Sequence, residues 1–402
     1  MALNHIFETM QKRLCVLMIA PQFRPLVGGY ERAAERLSAE LVRLGHEVTV
    51  IAERRDRSWP AREQQDGVMV RRLWCLYRPH FHHLTSLTVF ALFLFTQGRR
   101  FHVWHIHQYG PHAVLAVVLG KLLHRPVVLK LTNSKDQGIQ QVIADMPLAG
   151  SARAWLLGID AVVATTQETR AEAEMFGIQA DRVYVVGNGV DTQIFHPRSH
   201  DERLGLRRQL SVNADGMVVF VGRLFKQKNP DGLLCAWQLA LPHLTAGWKL
   251  VLVGDGPMRG ELEAFVDRER LTDTVLFTGL QTNVESWLGA ADVYVLASHR
   301  EGLSNTLLEA MASGLPVVST RVSGVPETVE EVGAGLVVDV GQKDQLADAL
   351  IRLANDSSLR SQMGRAGRTM ILKTYSINHV AALHERLYDK LLAEKSKGLS
   401  VA

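Results

Sequence analysis

Cysteine is scarce in this chain. Three occur in 402 residues, at Cys15, Cys75 and Cys235, far apart and odd in number. That excludes a disulfide scaffold, offers no Cys-x-x-Cys metal spacing, and favours a reducing, cytoplasmic setting. Cys15 lies in an apolar run and reads as a small buried hydrophobe. Long hydrophobic runs are missing too. The uncharged stretch from Leu84 to Gln97 has 14 residues, whereas a helix needs about 20 to span a bilayer. It reads as a buried or surface-seated helix, and His80, His82, His83, Arg99 and Arg100 flank it as they would an interfacial segment. The opening Met-Ala-Leu-Asn-His-Ile-Phe-Glu lacks the basic-then-apolar order of a signal peptide. No basic stretch is interleaved with aromatics, so no nucleic-acid partner is expected. Tandem repeats and low-complexity tracts are absent.

What is present describes a globular protein of two parts. Hydrophobic content of 47% and charged content of 21% exclude a disordered chain. A length of 402 residues exceeds the limit of about 250–300 for one core. In the first half, apolar runs predict strands at Leu14 to Ala20, Glu47 to Ala52, Val68 to Val70, His102 to Ile106, Val127 to Lys130, Ala161 to Ala164 and Val183 to Val186. Helical spacing at Ala33, Ala34, Leu37, Leu41 and Leu44, stopped by Gly45, predicts a helix between the first two. Residues 195–210 are polar, carry Pro197 and read as a linker. Strands then resume at Met217 to Val221, Lys249 to Val253, Val275 to Phe277, Val293 to Leu296, Pro316 to Ser319 and Gly335 to Val338. The alternation predicts an α/β chain of two doubly wound, Rossmann-like parallel sheets. The domains expected are 1–195 and 211–375, with a helix in 376–402.

The most specific pattern is Ser298-His-Arg-Glu301-Gly302-Leu303-Ser304-Asn-Thr-Leu-Leu-Glu309-Ala-Met-Ala-Ser-Gly314-Leu-Pro316. A buried strand, a turn and a helix from about Asn305 to Ser313 are predicted. Glu301 would lie at the strand's C-terminal edge, where open α/β sheets bind ligands. Glu309 would lie early in the helix, whose N-terminus suits a phosphate. Two carboxylates beside a phosphate site fit a ligand that also carries hydroxyls.

Here the chain resembles the retaining nucleotide-sugar glycosyltransferases of the glycosyltransferase-B fold, the family-four type. The likeness rests on the Glu301/Glu309 spacing and on Val221-Gly222-Arg223-Leu-Phe-Lys-Gln-Lys228. Leu252-Val-Gly254-Asp255-Gly256-Pro257, Phe277-Thr-Gly279 and Asn188-Gly-Val-Asp191 add to it, as do Pro25-Leu-Val-Gly28-Gly29-Tyr-Glu31 and His105-Ile-His107. Each is weak alone; together, in order from about residue 13 to about 335, they are specific.

The resemblance implies two domains across a cleft, acceptor on the first and donor on the second, with the last helix crossing back. It implies that Arg223 and Lys228 stabilise the departing diphosphate, a task suited to a guanidinium and an ammonium. Glu301 would bind donor-sugar hydroxyls and Glu309 the ribose. The N–H groups of Gly302, Leu303 and Ser304 would lie near the diphosphate, Gly254, Asp255 and Gly256 near the nucleoside, and Gly222 would also bind the donor. Gly28 and Gly29 would let backbone approach the phosphate or the acceptor. His107 would be a cleft residue for positioning or proton handling, with His105 as acceptor-side or core. Asp191 would organise the domain junction. No Asp-x-Asp, the usual metal holder of glycosyltransferases, occurs in the sequence, so metal-independent transfer without a cofactor is expected. The donor expected from the resemblance is a UDP- or GDP-sugar. The hydroxyl acceptor, lipid-linked or soluble, is not readable from residues 57–62, 76–83 or 133–149.

Net charge is +6 over residues 1–200 and −2 over 201–402. A basic first half suits an anionic acceptor or weak contact with the inner face of an anionic membrane, and equally an ordinary solvated surface. Two alternatives use the same plan: a nucleotide-sugar epimerase, which needs no acceptor, and a non-catalytic nucleotide-sugar sensor. A phosphorylase would need a pyridoxal phosphate lysine.

Overall fold

The computed structural model describes residues 13–25, 28–78, 81–133 and 138–399. Leu26 and Val27 of the first glycine motif, His80, residues 134–137 and the first twelve residues lie outside that set.

The first sheet holds β1 (Cys15–Ile19), β2 (Glu47–Arg54), β3 (Arg62–Gln65), β4 (Val68–Trp74), β5 (Val103–Ile106), β6 (Val127–Leu131), β7 (Ala161–Ala164) and β8 (Val183–Val185). Their order is β3-β4-β2-β1-β5-β6-β7-β8. The second holds β9 (Gly216–Val221), β10 (Trp248–Val253), β11 (Val275–Gly279), β12 (Val293–Leu296), β13 (Val317–Thr320) and β14 (Gly335–Val338). Their order is β11-β10-β9-β12-β13-β14. The second sheet is parallel throughout. Strands such as Val127–Leu131 and Gly216–Val221 are buried along their whole length. Helices cover both sheet faces, which is why these strands read as unbroken apolar runs.

The order reverses on either side of β1 and on either side of β9. A crevice opens at such switch points, outside the strands' C-terminal ends. The loop after β1 carries Gly28 and Gly29, the loop after β9 carries Arg223 and Lys228, and the loop after β12 carries Glu301. The fold therefore gathers the sequence's motifs on facing edges.

Three places depart from the sequence reading. Strand β3, Arg-Glu-Gln-Gln, has no apolar residue to announce it. It pairs antiparallel with β4 through a turn in which Asp66 and Gly67 both have positive φ, the usual geometry of a tight hairpin. The expected linker contains a helix, His200–Gln209, begun by a capping box between Ser199 and Glu202. Its Arg207 is buried, donates to the Ala290 carbonyl at 2.9 Å and pairs with Asp292. A polar helix can dock through the stems of long side chains while its sequence looks like a loop. The Leu84–Gln97 stretch belongs to helix His82–Gln97 and is neither wholly core nor wholly surface. Ser86, Phe90, Phe93 and Leu94 are buried, whereas Leu84, Leu92 and Phe95 are each at least 60% exposed.

Helix Ile377–Leu399 returns to the first sheet. Its Val380, Ala381, Leu387, Tyr388 and Leu391 join Val16, Met18 and Val128 in one core. The chain crosses between the sheets near Val190, whose N–H donates to the Tyr375 carbonyl at 2.8 Å and whose carbonyl accepts from Ile377 at 2.9 Å. Asp191 sits beside this crossing, and its Oδ1 accepts from the N–H groups of Gln193 and Ile194 at 2.9 and 3.1 Å.

Candidate active site between the two sheets

Backbone bonds lace together the loops at the C-terminal edge of the second sheet. The Gly222 N–H donates to Val253, Leu224 to Asp255, and Gly254 to Gly279, at 3.0, 2.9 and 2.9 Å. Gly254 has φ +142°, and a Cβ there would lie 2.0 Å from the Gly222 carbonyl oxygen. Only glycine fits such a site. His299 N–H donates to the Gln227 carbonyl at 2.8 Å, and Asn229 Nδ2 to Ala297 at 3.1 Å. The glycine turns, the cationic loop and the acidic loop thus form one continuous rim.

On that rim Lys228 Nζ donates to Glu301 Oε1 at 2.6 Å, and Ser298 Oγ donates to the same oxygen at 2.5 Å. Glu301 is 8% exposed. Arg223 is exposed and lies over the Phe225 ring at 5.4 Å. Asp255 accepts from the Gly256 N–H at 2.7 Å and pairs with Arg259 at 3.3 Å. Helix Asn305–Ala312 begins at Ser304, whose Oγ accepts from Leu307 N–H at 3.4 Å.

The first sheet closes onto this rim. Asn305 Nδ2 donates to the Gly29 carbonyl at 2.7 Å, and Asn188 Nδ2 to the Leu303 carbonyl at 3.2 Å. Thr166 and Ser323 hydroxyls meet at 3.1 Å. A Cβ on Gly302 would lie 1.8 Å from the Thr132 carbonyl oxygen, so the absence of a side chain there allows the approach. A cavity of about 660 Å³ lies at this junction, walled by Glu168 on one side and Lys226, Arg300, Glu301, Ser323 and Glu327 on the other.

The structure thus brings together Gly222, Lys228, Gly254, Asp255, Gly256, Glu301, Gly302, Leu303 and Ser304, with Gly28 and Gly29 facing them. Two expected site residues lie deeper than the sequence suggested. Glu309 is wholly buried and ion-paired with Arg36 from helix Gly29–Arg43. His107 is 1% exposed, with Nε2 at 3.3 Å from the Met18 sulfur. It stacks on His105 at 4.5 Å, and His105 stacks on His384 at 5.3 Å and bonds to the Tyr388 hydroxyl at 2.7 Å. The returning helix supplies His384 and Tyr388, covering the strand edge that sequence alone leaves open. Burial, and then the neighbouring cationic groups, hold the imidazoles of His105 and His107 well below their usual range. Sequence reasoning missed Arg36 and Ser298. Ser298 had a faint signal, three residues before Glu301 in the same turn; Arg36 had none.

Two family models match, one to each half of this geometry. "Glycosyl transferase 4-like domain" matches residues 28–189 and "Glycosyl transferases group 1" matches residues 206–370. The chain is a glycosyltransferase of the B fold, family-four type.

Relatives match over part or nearly all of the chain. The enzyme is 24% identical over 379 residues to N-acetyl-alpha-D-glucosaminyl L-malate synthase of Bacillus anthracis, covering 93% of this chain and 97% of the relative. It is 32% identical over 235 residues to the GDP-mannose-dependent alpha-(1-6)-phosphatidylinositol monomannoside mannosyltransferase of Mycobacterium tuberculosis, covering 56% of this chain and 60% of that one. The fold is shared with the crystal structure of Anabaena HepE in complex with UDP, at a TM-score of 0.76 and 18% identity, covering 94% of this chain and all of the other. Among the described residues of the enzyme, no helix is long and apolar enough to cross a membrane.

Proposed function

We propose that the enzyme moves a sugar from a UDP- or GDP-sugar to a hydroxyl acceptor, with retention at the anomeric carbon and without a metal ion. The observation that carries this reading is the Lys228–Glu301 pair at 2.6 Å on a glycine-lined rim, with Arg223 exposed in the same loop as Lys228. A cation and a carboxylate that hold each other can each turn to a ligand carrying both phosphate and hydroxyls. The mannosyltransferase relative is named for GDP-mannose and HepE was solved with UDP, which supports a nucleotide-diphosphate donor.

In this reading Lys228 and Arg223 take the diphosphate as it gains charge, in a site closed by the first sheet where such contacts are strong. Glu301, kept in place by Ser298, accepts hydroxyls of the donor sugar. Glu309 accepts from the ribose. The N–H groups at Gly302, Leu303 and Ser304 face the phosphates. The bond from the anomeric carbon to the diphosphate oxygen breaks, and a bond to the acceptor oxygen forms on the same face. The acceptor's proton passes to the departing phosphate oxygen. Products would be polysaccharides, glycolipids or other glycoconjugates. Helix His82–Gln97, with exposed Leu84, Leu92 and Phe95 near exposed Arg78, Arg99 and Arg100, supports weak peripheral contact with an anionic, inner-face membrane.

A panel of nucleotide sugars scored by nucleotide release, with lipid-linked and soluble acceptors, tests the activity. An NMR coupling constant showing an α-linkage from an α-donor is the expected product signature; a β-linkage refutes retention. Turnover with donor alone to an epimer would favour the epimerase reading.

A further inference from the structure

At the C-terminal edge of the first sheet, apart from the Lys228–Glu301 rim, three ligand-bearing side chains of different chemistry come together. Glu53 lies near the end of β2, Cys75 just after β4, and His82 at the start of helix His82–Gln97. One donor atom from each lies within 4.8 Å of the other two. Glu53 and Cys75 are each 3% exposed. His82 Nε2 is 3.2 Å from Glu53 Oε2 and is buried without a hydrogen-bond partner. No hydrogen bond to the Cys75 sulfur occurs among the described residues.

From this arrangement we infer that Glu53, Cys75 and His82 bind one thiophilic divalent cation, zinc by the chemistry of the set. A thiolate and an imidazole select zinc over magnesium or calcium, which prefer oxygen ligands. Zinc accepts three protein ligands with a fourth position for water, at about 2.0–2.3 Å from each ligand. Tetrahedral zinc ligands lie roughly 3.3–3.8 Å apart at those bond lengths, and the three atoms already lie within 4.8 Å of one another, so small side-chain movements close the site. Cys75 gives up its proton on binding, so carboxylate and thiolate balance the ion's charge.

The surroundings suit a held metal ligand. Ser86 Oγ donates to Glu53 Oε1 at 2.7 Å and also meets His112 Nε2 at 2.9 Å. This second layer fixes one oxygen and leaves Oε2 aimed at His82. The Tyr77 ring meets the His82 ring edge-on at 4.6 Å. The competitor for Oε2 is Arg55, at 3.0 Å. Its side chain is 21% exposed and the guanidinium lies over Tyr77 at 5.4 Å, so it can yield outward to water. The ion would clip the segment after β4 to β2 and to the start of the half-exposed apolar helix. Its role is therefore in holding that helix, apart from the chemistry at Lys228 and Glu301.

The test uses untagged full-length protein stripped of metal and titrated with zinc chloride against a chromophoric competitor. One zinc per chain is expected, with at least a tenfold loss of affinity in Cys75→Ser and in His82→Ala. Cobalt should give a thiolate-to-metal charge-transfer band that Cys75→Ser abolishes, and zinc should raise Tm in the parent but not in the variants. Circular dichroism confirms folding. Should Cys75→Ser fail to fold, His82→Ala, at a side chain 19% exposed, carries the test. A competitor that keeps all the zinc, parent-like binding in the variants, or cobalt without the thiolate band would each overturn the proposal.

Discussion

Arg36 and Glu309 form an ion pair across the cleft, 273 residues apart in sequence. Arg36 takes Oε1 of Glu309, while Oε2 is buried without a partner. A carboxylate held by one oxygen is oriented for a second hydrogen bond through the other. Arg36→Ala should therefore raise the donor KM about tenfold, since a charge-assisted bond is worth about 1.5–3 kcal/mol, with a smaller change in kcat. Arg36→Lys should restore part of it. Steady-state kinetics with varied donor decides; an unchanged KM would leave the pair as a domain contact only.

Arg223→Ala and Lys228→Ala should each lower kcat with little change in fold. Each removes a charge from the departing diphosphate, a loss on the order of 2–4 kcal/mol in transition-state binding. Near-parent turnover in both, with circular dichroism unchanged, would remove the leaving group from this rim.

Transfer should persist in excess EDTA at a temperature well below Tm. In the proposed reading Arg223 and Lys228 take the task a metal would otherwise perform, and the sequence has no Asp-x-Asp to hold one. Loss of activity restored by magnesium or manganese would put the leaving-group charge on a metal. Restoration by zinc alone would instead point to the Glu53–Cys75–His82 cluster.

Stability should fall with acid because of the buried histidine stack. Burial holds His384 down at about 3 and keeps His105 and His107 low as well. The unfolded chain takes up protons near pH 6.5 that the folded core refuses, so stability present above that pH is lost as pH falls. His384 should cost roughly 1–2 kcal/mol by pH 5, with His105 and His107 acting in the same direction. The urea midpoint of His384→Gln should accordingly change less between pH 7.5 and pH 5 than the parent's. Lys130, buried beside the stack and pulled down to about 8 by burial, adds stability only as pH rises above that value.

Flotation with anionic liposomes should show weak, salt-sensitive binding. Leu84, Leu92 and Phe95 present an apolar face, and Arg78, Arg99 and Arg100 supply nearby cations. Protein that stays at the bottom of the gradient at both low and high salt would show that this face meets no lipid.

The two doubly wound sheets were legible in the chain itself, because strands buried on both faces write themselves as apolar runs and glycine turns mark their ends. The runs Ala161–Ala164, Val293–Leu296 and Gly335–Val338 coincide with the strands observed. The loops that carry Lys228, Gly254 and Glu301 were legible too, since each follows such a run directly. Strand β3 was not, having no apolar face, nor was helix His200–Gln209, which docks through arginine stems. Pairing lay beyond the sequence altogether. Lys228 meets Glu301 across 73 residues, and Arg36 meets Glu309 only because one sheet closes on the other. His107 stands at the strand edge that local pattern predicts, yet the helix returning from the far end of the chain buries its neighbourhood. Local patterns record which residues leave water; which of them then meet is set by packing between segments that no local pattern connects.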